Sequence, residues 1–390
     1  MINGEKVTTH PIRWAMVGGG KGSNIGYMHR SAASRDNMFQ LIAGAFDINA
    51  ERGKEFGTML GVDEDRCYPD YQSMFAAEAK RPDGIEAVSI ATPNGTHYEI
   101  CKAALNAGLH VVCEKPLCFS NEQADELVEL AQSKNRIVGV TYGYSGHQMI
   151  HQAREMIVNG DLGKVRLVKM QFAHGGFNTA IEKDIPGAKW RLDPKFAGPS
   201  FILGDVGTHV FFLGETIVPN FKVEKLLCAA QAFVEGRQLE DNAEVMMKCN
   251  DGIFASLWAS GINCGAQHGH IIRVIGEKAS IEWWDEQPNQ LKYEVAGKPV
   301  QLLERGADYL YDNALVDDRI GGGHAEGLFE SWANLYRRFA IAMDATDKDD
   351  QATLNSLWYP GVKDGAMGVK FVNTCIESAD KGAVWVDFQQ

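Results

Sequence analysis

Up to Thr141 the chain repeats one pattern, in which short apolar runs alternate with longer amphipathic stretches. The apolar runs are Ile12–Val17, Leu41–Phe46, Ala87–Ile90, His110–Cys113 and Ile137–Thr141. Each is too short for a buried helix and is bounded by turn-forming residues, which predicts buried strands. Helices are expected from about Ile25, over Asn49–Leu60 and over Tyr98–Ala107. Another follows Ser120-Asn-Glu-Gln123, a capping-box pattern, with Ala124, Leu127, Val128 and Ala131 on its apolar face. Strand–helix alternation of this kind predicts a parallel sheet covered by helices, an α/β domain.

From Gly143 the alternation stops. His147–Asn159 reads as one amphipathic helix, with Ile150, Ala153, Met156 and Ile157 on one side. Strands then cluster at Val165–Phe172, Val223–Phe233, Asn242–Cys249, Ile253–Ser260, Ile271–Gly276 and Ile281–Trp284. Asn250-Asp251-Gly252 is a hairpin turn, and successive hairpins make an antiparallel sheet. Late helices are expected over Glu326–Met343 and about Val362–Ser378. The change of pattern divides the chain into domains 1–145 and 146–390, as its 390 residues also suggest.

Composition narrows the function classes. A net charge of -13 argues against a nucleic-acid partner, because phosphate binding needs a basic face. The N-terminus is polar and no long apolar run exists, so the expectation is a cytoplasmic protein with no membrane partner. Eight scattered cysteines without a C-x-x-C pair read as reduced thiols rather than a zinc site, and no metal is expected.

The chemistry begins at the end of the first strand. Ile12–Val17 runs into Gly18-Gly-Gly20-Lys21-Gly-Ser23-Asn24-Ile25-Gly26. A glycine turn between strand and helix lets the backbone approach a pyrophosphate, which the helix N-terminus then holds. Gly18 and Gly20 match the first two glycines of the dinucleotide fingerprint, and Gly26 is the third, displaced by about three inserted residues. Asp47 closes the second strand, where an acid binds ribose hydroxyls and disfavours a 2′-phosphate, so NAD is expected over NADP. Arg52 lies close enough in sequence to blunt that preference. Thr92, Pro93, Asn94 and His97 follow the third strand and are expected to face cofactor; a lone histidine such as His97 is otherwise a solvated one near a helix cap. Glu114-Lys115-Pro116 ends the fourth strand, where a lysine can stabilise an alkoxide and the proline permits a cis bond.

In the second half, Asp205 and His209 are four apart in Gly-Asp-Val-Gly-Thr-His and share one face if helical. A histidine titrates in the right range to take an alcohol proton, and a nearby carboxylate can orient it.

This ordered set, Gly18/Gly20/Gly26, His29, Asp47, Thr92-Pro93-Asn94, His97 and Glu114-Lys115-Pro116, resembles the glucose–fructose oxidoreductase / inositol dehydrogenase / rhizopine-catabolism (Gfo/Idh/MocA) family over nearly the whole chain. The resemblance implies an N-terminal Rossmann domain and a C-terminal α+β domain with an open, mainly antiparallel sheet. It implies Lys115, Asp205 and His209 as the catalytic set. It also implies that Arg191, in Trp190-Arg191-Leu-Asp193-Pro194, faces substrate; an ion pair with Asp193 is the structural alternative.

Two long polar loops, from Phe172 to Lys189 with His174, Phe177 and Asn178, and from Arg305 to Gly327 with Tyr309, Tyr311, Asp317, Asp318, Arg319 and His324, carry groups suited to hydroxyls. His174, Trp190, Arg191 and His324 are therefore candidate substrate contacts. Tyr144 joins them, within Tyr142-Gly-Tyr144-Ser145-Gly-His147, where many relatives carry an asparagine or paired arginines.

The function expected is NAD-dependent oxidation of a secondary hydroxyl of a cyclic polyol or sugar. Alternatives are oxidative glycoside cleavage with a recycled cofactor and a non-catalytic dinucleotide sensor. An open apolar sheet face predicts a homodimer or homotetramer.

Overall fold

A computed structural model describes residues 2–183, 190–191 and 193–388. The chain forms two compact units, one of residues 3–141 with 332–366, the other of 2, 142–331 and 367–388. A cut at 145/146 assigns 332–366 to the second domain, whereas its contacts place it in the first unit. The reason is aromatic. Tyr336 meets Trp14 and Phe39 with ring centroids 6.3 and 5.4 Å away, and His29 meets Trp332 at 5.2 Å. Val140 also donates its N–H to the Pro360 carbonyl at 2.9 Å.

The first unit holds a parallel sheet of β1 (Ile12–Gly18), β2 (Phe39–Ala45), β3 (Ala87–Ala91), β4 (His110–Cys113) and β5 (Val138–Val140). Its order is β2-β1-β3-β4-β5. The strands are near-continuous apolar runs because helices cover both faces. The predicted capping box is formed, with Ser120 accepting from the Gln123 N–H and helix Asn121–Lys134 following. The order in which strands are added switches sides between the parallel β1 and β3, so the loops after those strands flank the crevice where open α/β sheets take ligands.

The second unit contains a nine-stranded sheet: β6 (Val165–Ala173), β7 (Val223–Gln231), β8 (Asn242–Cys249), β9 (Phe254–Ser260), β10 (His270–Gly276), β11 (Ala279–Trp284), β12 (Gln290–Val295), β13 (Gln301–Glu304) and β14 (Val386–Asp387). The order is β13-β12-β11-β10-β6-β9-β8-β7-β14, antiparallel except for the β6–β9 pair. The Asn250–Gly252 turn joins β8 to β9 as expected, with Asp251 and Gly252 both at positive φ. One sheet face is buried through Val168, Met170, Val245, Leu257, Ile272 and Val274, in a core shared with Ile150, Ala153, Val210 and Phe211 of helices Gln148–Val158 and Thr208–Ile217.

β12, β13 and β14 were not anticipated; they lie at or near the sheet's ends, β12 and β13 are rich in Gln, Lys and Glu, and β14 is only Val386-Asp387. No helix among the described residues is long and apolar enough to cross a membrane. All eight cysteines are free thiols, and Cys264 alone is exposed.

Candidate active site

In the first unit the sequence builds a nucleotide cradle from glycine geometry. Gly18 has φ +76°, and a side chain there would meet the Ala91 carbonyl at 2.5 Å. Gly26 packs so closely that a Cβ would collide with the Gly19 carbonyl. Gly19 donates to the Ala91 carbonyl at 3.1 Å, which ties the turn after β1 to the loop after β3. Gly20 lies in the same turn, where a Cβ would meet the Phe46 carbonyl at 2.5 Å. The helix begins at Asn24, capped by Ser23, whose hydroxyl accepts from the Gly26 N–H at 3.0 Å. The inserted residues therefore form a turn and a cap: Lys21 and Asn24 are exposed and Ile25 half-buried beside the open helix N-terminus. These residues fit a dinucleotide pyrophosphate, since only glycine clears the backbone approach and the first N–H groups face outward.

Asp47 follows β2. Its carboxylate accepts from Arg52 Nη2 and from the Asn49 N–H, both at 2.8 Å. These two bonds hold its carboxyl below the usual carboxylate range. The blunting partner expected from sequence is thus in contact with it.

Thr92, Pro93 and Asn94 lie in the loop after β3, and Asn94 opens a short 3₁₀ turn. His97 differs from expectation. It is fully buried, not solvated, with Nδ1 2.8 Å from the Pro116 carbonyl and Nε2 2.9 Å from the Thr92 carbonyl. Burial pulls its pKa down although both carbonyls oppose this. The ring bridges the loops after β3 and β4 through a carbonyl at each nitrogen, and when neutral it donates to one of the two at a time. His97 accordingly shapes those loops rather than presenting its ring to a ligand.

Glu114 and Lys115 follow β4. The Lys115–Pro116 bond is cis, and Lys115 is half-buried. Glu114 is buried, with Oε1 3.1 Å from His29 Nε2 and 2.5 Å from Thr141 Oγ1. Burial raises its carboxyl, but His29, Thr141 and the Lys115 charge outweigh this and bring it below the ordinary value.

The second unit holds the other candidates. Asp205 sits in a π-helical turn, Leu203–Gly207, that runs into helix Thr208–Ile217 with His209 in its first turn. A π turn of this kind is an irregularity often found at functional sites. Arg191 Nε lies 3.8 Å from Asp205 Oδ2, and its guanidinium stands 4.4 Å over the Trp190 ring. Asp193 instead caps the turn Pro194–Ala197, so the Arg191–Asp193 pair is replaced by Arg191–Asp205. Burial lowers the His174 pKa, and the Asp205 charge acts against it.

His209 is enclosed by Tyr142, Tyr144 and Phe172, with centroids at 5.9, 4.9 and 6.3 Å. Tyr144 also reaches His268, its phenolic oxygen 3.2 Å from Nε2.

The loop from Arg305 is organised differently from expectation. Buried Arg305 pairs with Asp318 at 2.5 Å and Glu326 at 3.1 Å and donates to the His324 carbonyl at 2.6 Å. Tyr311 donates to Asp161 at 2.9 Å and Tyr309 accepts from the Glu304 N–H at 2.8 Å. Most of its polar groups are thus spent on structural contacts within the loop and with neighbouring segments. The His324 ring is exposed, and the described contacts do not join it to the Tyr144–His209 cluster. Part of the loop from Phe172 to Lys189, residues 184–189, lies outside the described residues.

Comparison with known proteins agrees with both units. Residues 12–142 match a family model described as "Oxidoreductase family, NAD-binding Rossmann fold", and residues 154–388 match its "C-terminal alpha/beta domain". The chain belongs to the Gfo/Idh/MocA oxidoreductase family. An inositol dehydrogenase homologue from Azotobacter vinelandii, solved with NAD+, is 59% identical over 100% of both chains with TM-score 0.99. The same homologue with NADH and myo-inositol is 58% identical over 99% of this chain and 100% of that one, TM-score 0.96. An uncharacterised Bacillus subtilis oxidoreductase, YfiI, is 55% identical over 100% of both. This Gfo/Idh/MocA chain is an NAD-dependent oxidoreductase.

Within the Gfo/Idh/MocA frame, the sequence did not mark His268 and His270, which pack against Tyr144, or His147 and Asp285, which adjoin them. A usable signal was present: His268 and His270 alternate about Gly269 and so share one face of the strand entering β10. Beginning that strand at Ile271 hid the pair.

Proposed function

We propose that the chain oxidises a ring secondary hydroxyl of a cyclic polyol or sugar, inositol being the nearest model. The observation that carries this is full-length similarity, at 58% identity, to the Azotobacter protein whose structure holds NADH and myo-inositol. The glycine turn, the open N-terminus of helix Asn24–Ser34 and Asp47 would hold NAD, with Thr92, Pro93 and Asn94 beside it. NAD, when bound, supplies the hydride acceptor.

The rest falls to side chains. His209 removes the hydroxyl proton as the C–H bond breaks, because an imidazole is basic enough near neutral pH. Asp205 stabilises the imidazolium so formed, and Arg191 holds Asp205 in place. The Lys115 ammonium stabilises the alkoxide as charge develops on oxygen. Tyr144, His174, Trp190 and Arg191 bind and orient the remaining ring hydroxyls.

The test is NADH absorbance with NAD and myo-inositol, scyllo-inositol, D- and L-glucose, xylose and several glycosides. Turnover of one cyclic polyol or sugar, reduced at least 100-fold in Lys115→Ala and His209→Ala, is expected. Silence across the panel with NAD still bound, or turnover surviving both substitutions, overturns the reading.

A further inference from the structure

The connection between β7 and β8 ends in two adjacent buried acids, Glu240 and Asp241. Asp241 folds the connection onto itself. Its carboxylate accepts from the Phe233 and Val234 N–H groups at 2.9 and 3.0 Å and pairs with Arg237 Nη1 at 3.0 Å. Its carbonyl accepts from the Gly261 N–H at 2.9 Å. Glu240 is thus presented from a fixed base, and it reaches a different segment. Its Oε1 accepts from the Ser200 hydroxyl at 2.5 Å and from the Leu203 N–H at 3.2 Å, and its Oε2 from the Phe201 N–H at 3.3 Å. Ser200 Oγ in turn accepts from the Gly204 N–H at 3.1 Å. Burial pushes the Glu240 carboxyl up, and its contacts with Ser200, Leu203 and Phe201 act against this.

An apolar side chain would fill this interior at lower cost than a carboxyl group. What Glu240 faces accounts for its presence. Residues 201–204 open the helical stretch that carries Asp205 and His209, and the first N–H groups of a helix have no partner within it. Phe201, Leu203 and Gly204 are buried, so side chains must supply the acceptors. Glu240 and Ser200 do so.

The turn they cap is the π turn Leu203–Gly207. The Thr208 N–H reaches the Leu203 carbonyl, five residues back. The Gly204 carbonyl, which an α turn would pair with that N–H, accepts instead from the Thr208 hydroxyl at 3.3 Å. A residue of an α-helix advances about 100° round the axis and one of a π turn less, so the angle between Asp205 and His209 depends on the turn keeping this form.

We propose that Glu240 is a positioning residue for the oxidation: with Ser200 it locks the π turn and so sets Asp205 against His209. The proposal rests on the reading of those two residues as the proton-accepting pair. Glu240 acts through the turn alone.

The experiment uses the full-length protein in Glu240→Ala, Glu240→Gln and Val245→Ala, the last a control that weakens the same unit from the core side of β8. Kinetics with NAD and myo-inositol are paired with ¹⁵N-histidine spectra, in which His209 is identified by its absence from His209→Ala. Glu240→Ala should lower kcat about 10- to 100-fold, the scale of a small misplacement of a reacting group, with both KM values within about threefold. Glu240→Gln keeps one acceptor oxygen for Ser200 and Leu203 but turns an amide N–H toward Phe201. Its kcat should lie between wild type and Glu240→Ala, and it carries the test if Glu240→Ala does not fold. Val245→Ala should lower Tm and leave kcat per folded molecule within about twofold. The Tyr142 and Tyr144 rings stand edge-on to His209 at 5.9 and 4.9 Å, so small displacements register in its resonances. Those resonances should move in both Glu240 variants and stay in Val245→Ala.

A wild-type kcat in the Glu240 variants, an equal loss in Val245→Ala, or unmoved His209 resonances each overturn the proposal. If neither myo-inositol nor any other polyol or sugar is turned over, the dehydrogenase reading fails, while the His209 resonances still decide whether Glu240 fixes the turn.

Discussion

Glu114 Oε1 and His29 Nε2 lie 3.1 Å apart in the interior of the first unit. The pair ends a directional chain. Trp14 Nε1 donates to Ser89 Oγ at 2.8 Å, Ser89 meets the Tyr336 hydroxyl at 2.8 Å, and that hydroxyl meets His29 Nδ1 at 2.5 Å. Ser89 and Tyr336 each donate one hydrogen bond and accept one between the indole donor and the His29 Nδ1 acceptor, and the His29 proton then falls on Nε2, facing the Glu114 carboxylate. The carboxylate so anchored immediately precedes Lys115.

Tyr336→Phe breaks this chain at its centre. It leaves the Ser89 hydroxyl and His29 Nδ1 facing an apolar ring, which should cost about 1–3 kcal/mol. Thermal or urea unfolding measures the loss. Activity per folded molecule should also fall, because the backbone ahead of Lys115 is less firmly held. An unchanged unfolding midpoint would show that the chain is not a source of stability.

Asp47 sets the cofactor preference in this account. Asp47→Ala should lower the NAD-over-NADP ratio of kcat/KM by at least about tenfold, equivalent to about 1.4 kcal/mol, since Arg52 is then free to meet a 2′-phosphate. Parallel kinetics with both cofactors decide it. A ratio unmoved by the substitution would take the preference away from Asp47.

Burial sets a pH limit on the second unit. His270 is pulled down to about 3 and His147 to about 4 from the ordinary 6.5, in both cases mainly by burial and against the attraction of Asp285. In the unfolded chain both rings take up protons below about 6.5, whereas the folded chain resists until near 4 and 3. The unfolded state thus binds more protons in that window, and stability falls as pH drops through it. Tm measured from pH 7 to 4 should decline steadily. His270→Phe, which keeps the stacking on Phe172, should flatten the decline.

The second sheet face carries exposed Met246 on β8 and exposed Trp284 on β11, where Glu282 belongs to the Arg273–Glu282–Glu294 ion network. Apolar groups on a broad β face favour a covering partner, and a second copy is the expected one. Light scattering at micromolar concentration should give a dimer or tetramer, and Met246→Glu should shift it toward monomer. A wild-type monomer would sink this.

The local half of the architecture was legible in the chain. Apolar runs of the right length fixed the parallel strands, and Ser120 with Gln123 marked a helix start because a capping box needs only neighbours. The turn at Asn250–Gly252 was equally readable, since φ is a local property. Strands such as Gln290–Val295 were not, because their burial is set by partners far along the chain. That segment 332–366 makes its contacts with the first unit was hidden for the same reason: the aromatic rings it meets lie near residues 14, 29 and 39.

For the site, the sequence by itself determined which residue types stand at the ends of strands and in the Asp205–His209 turn. It also determined that glycine must occupy positions 18 and 26, and with these the family and its cofactor. Only the tertiary structure decided which polar groups are spent internally. It buried His97 between two backbone carbonyls, spent the polar groups of the Arg305 loop on the loop and its neighbours, and gathered His147, His268 and His270 about Asp285. A hydrogen bond's partner is chosen by distance in space, and residues 144, 268 and 285 meet only when the sheet has formed.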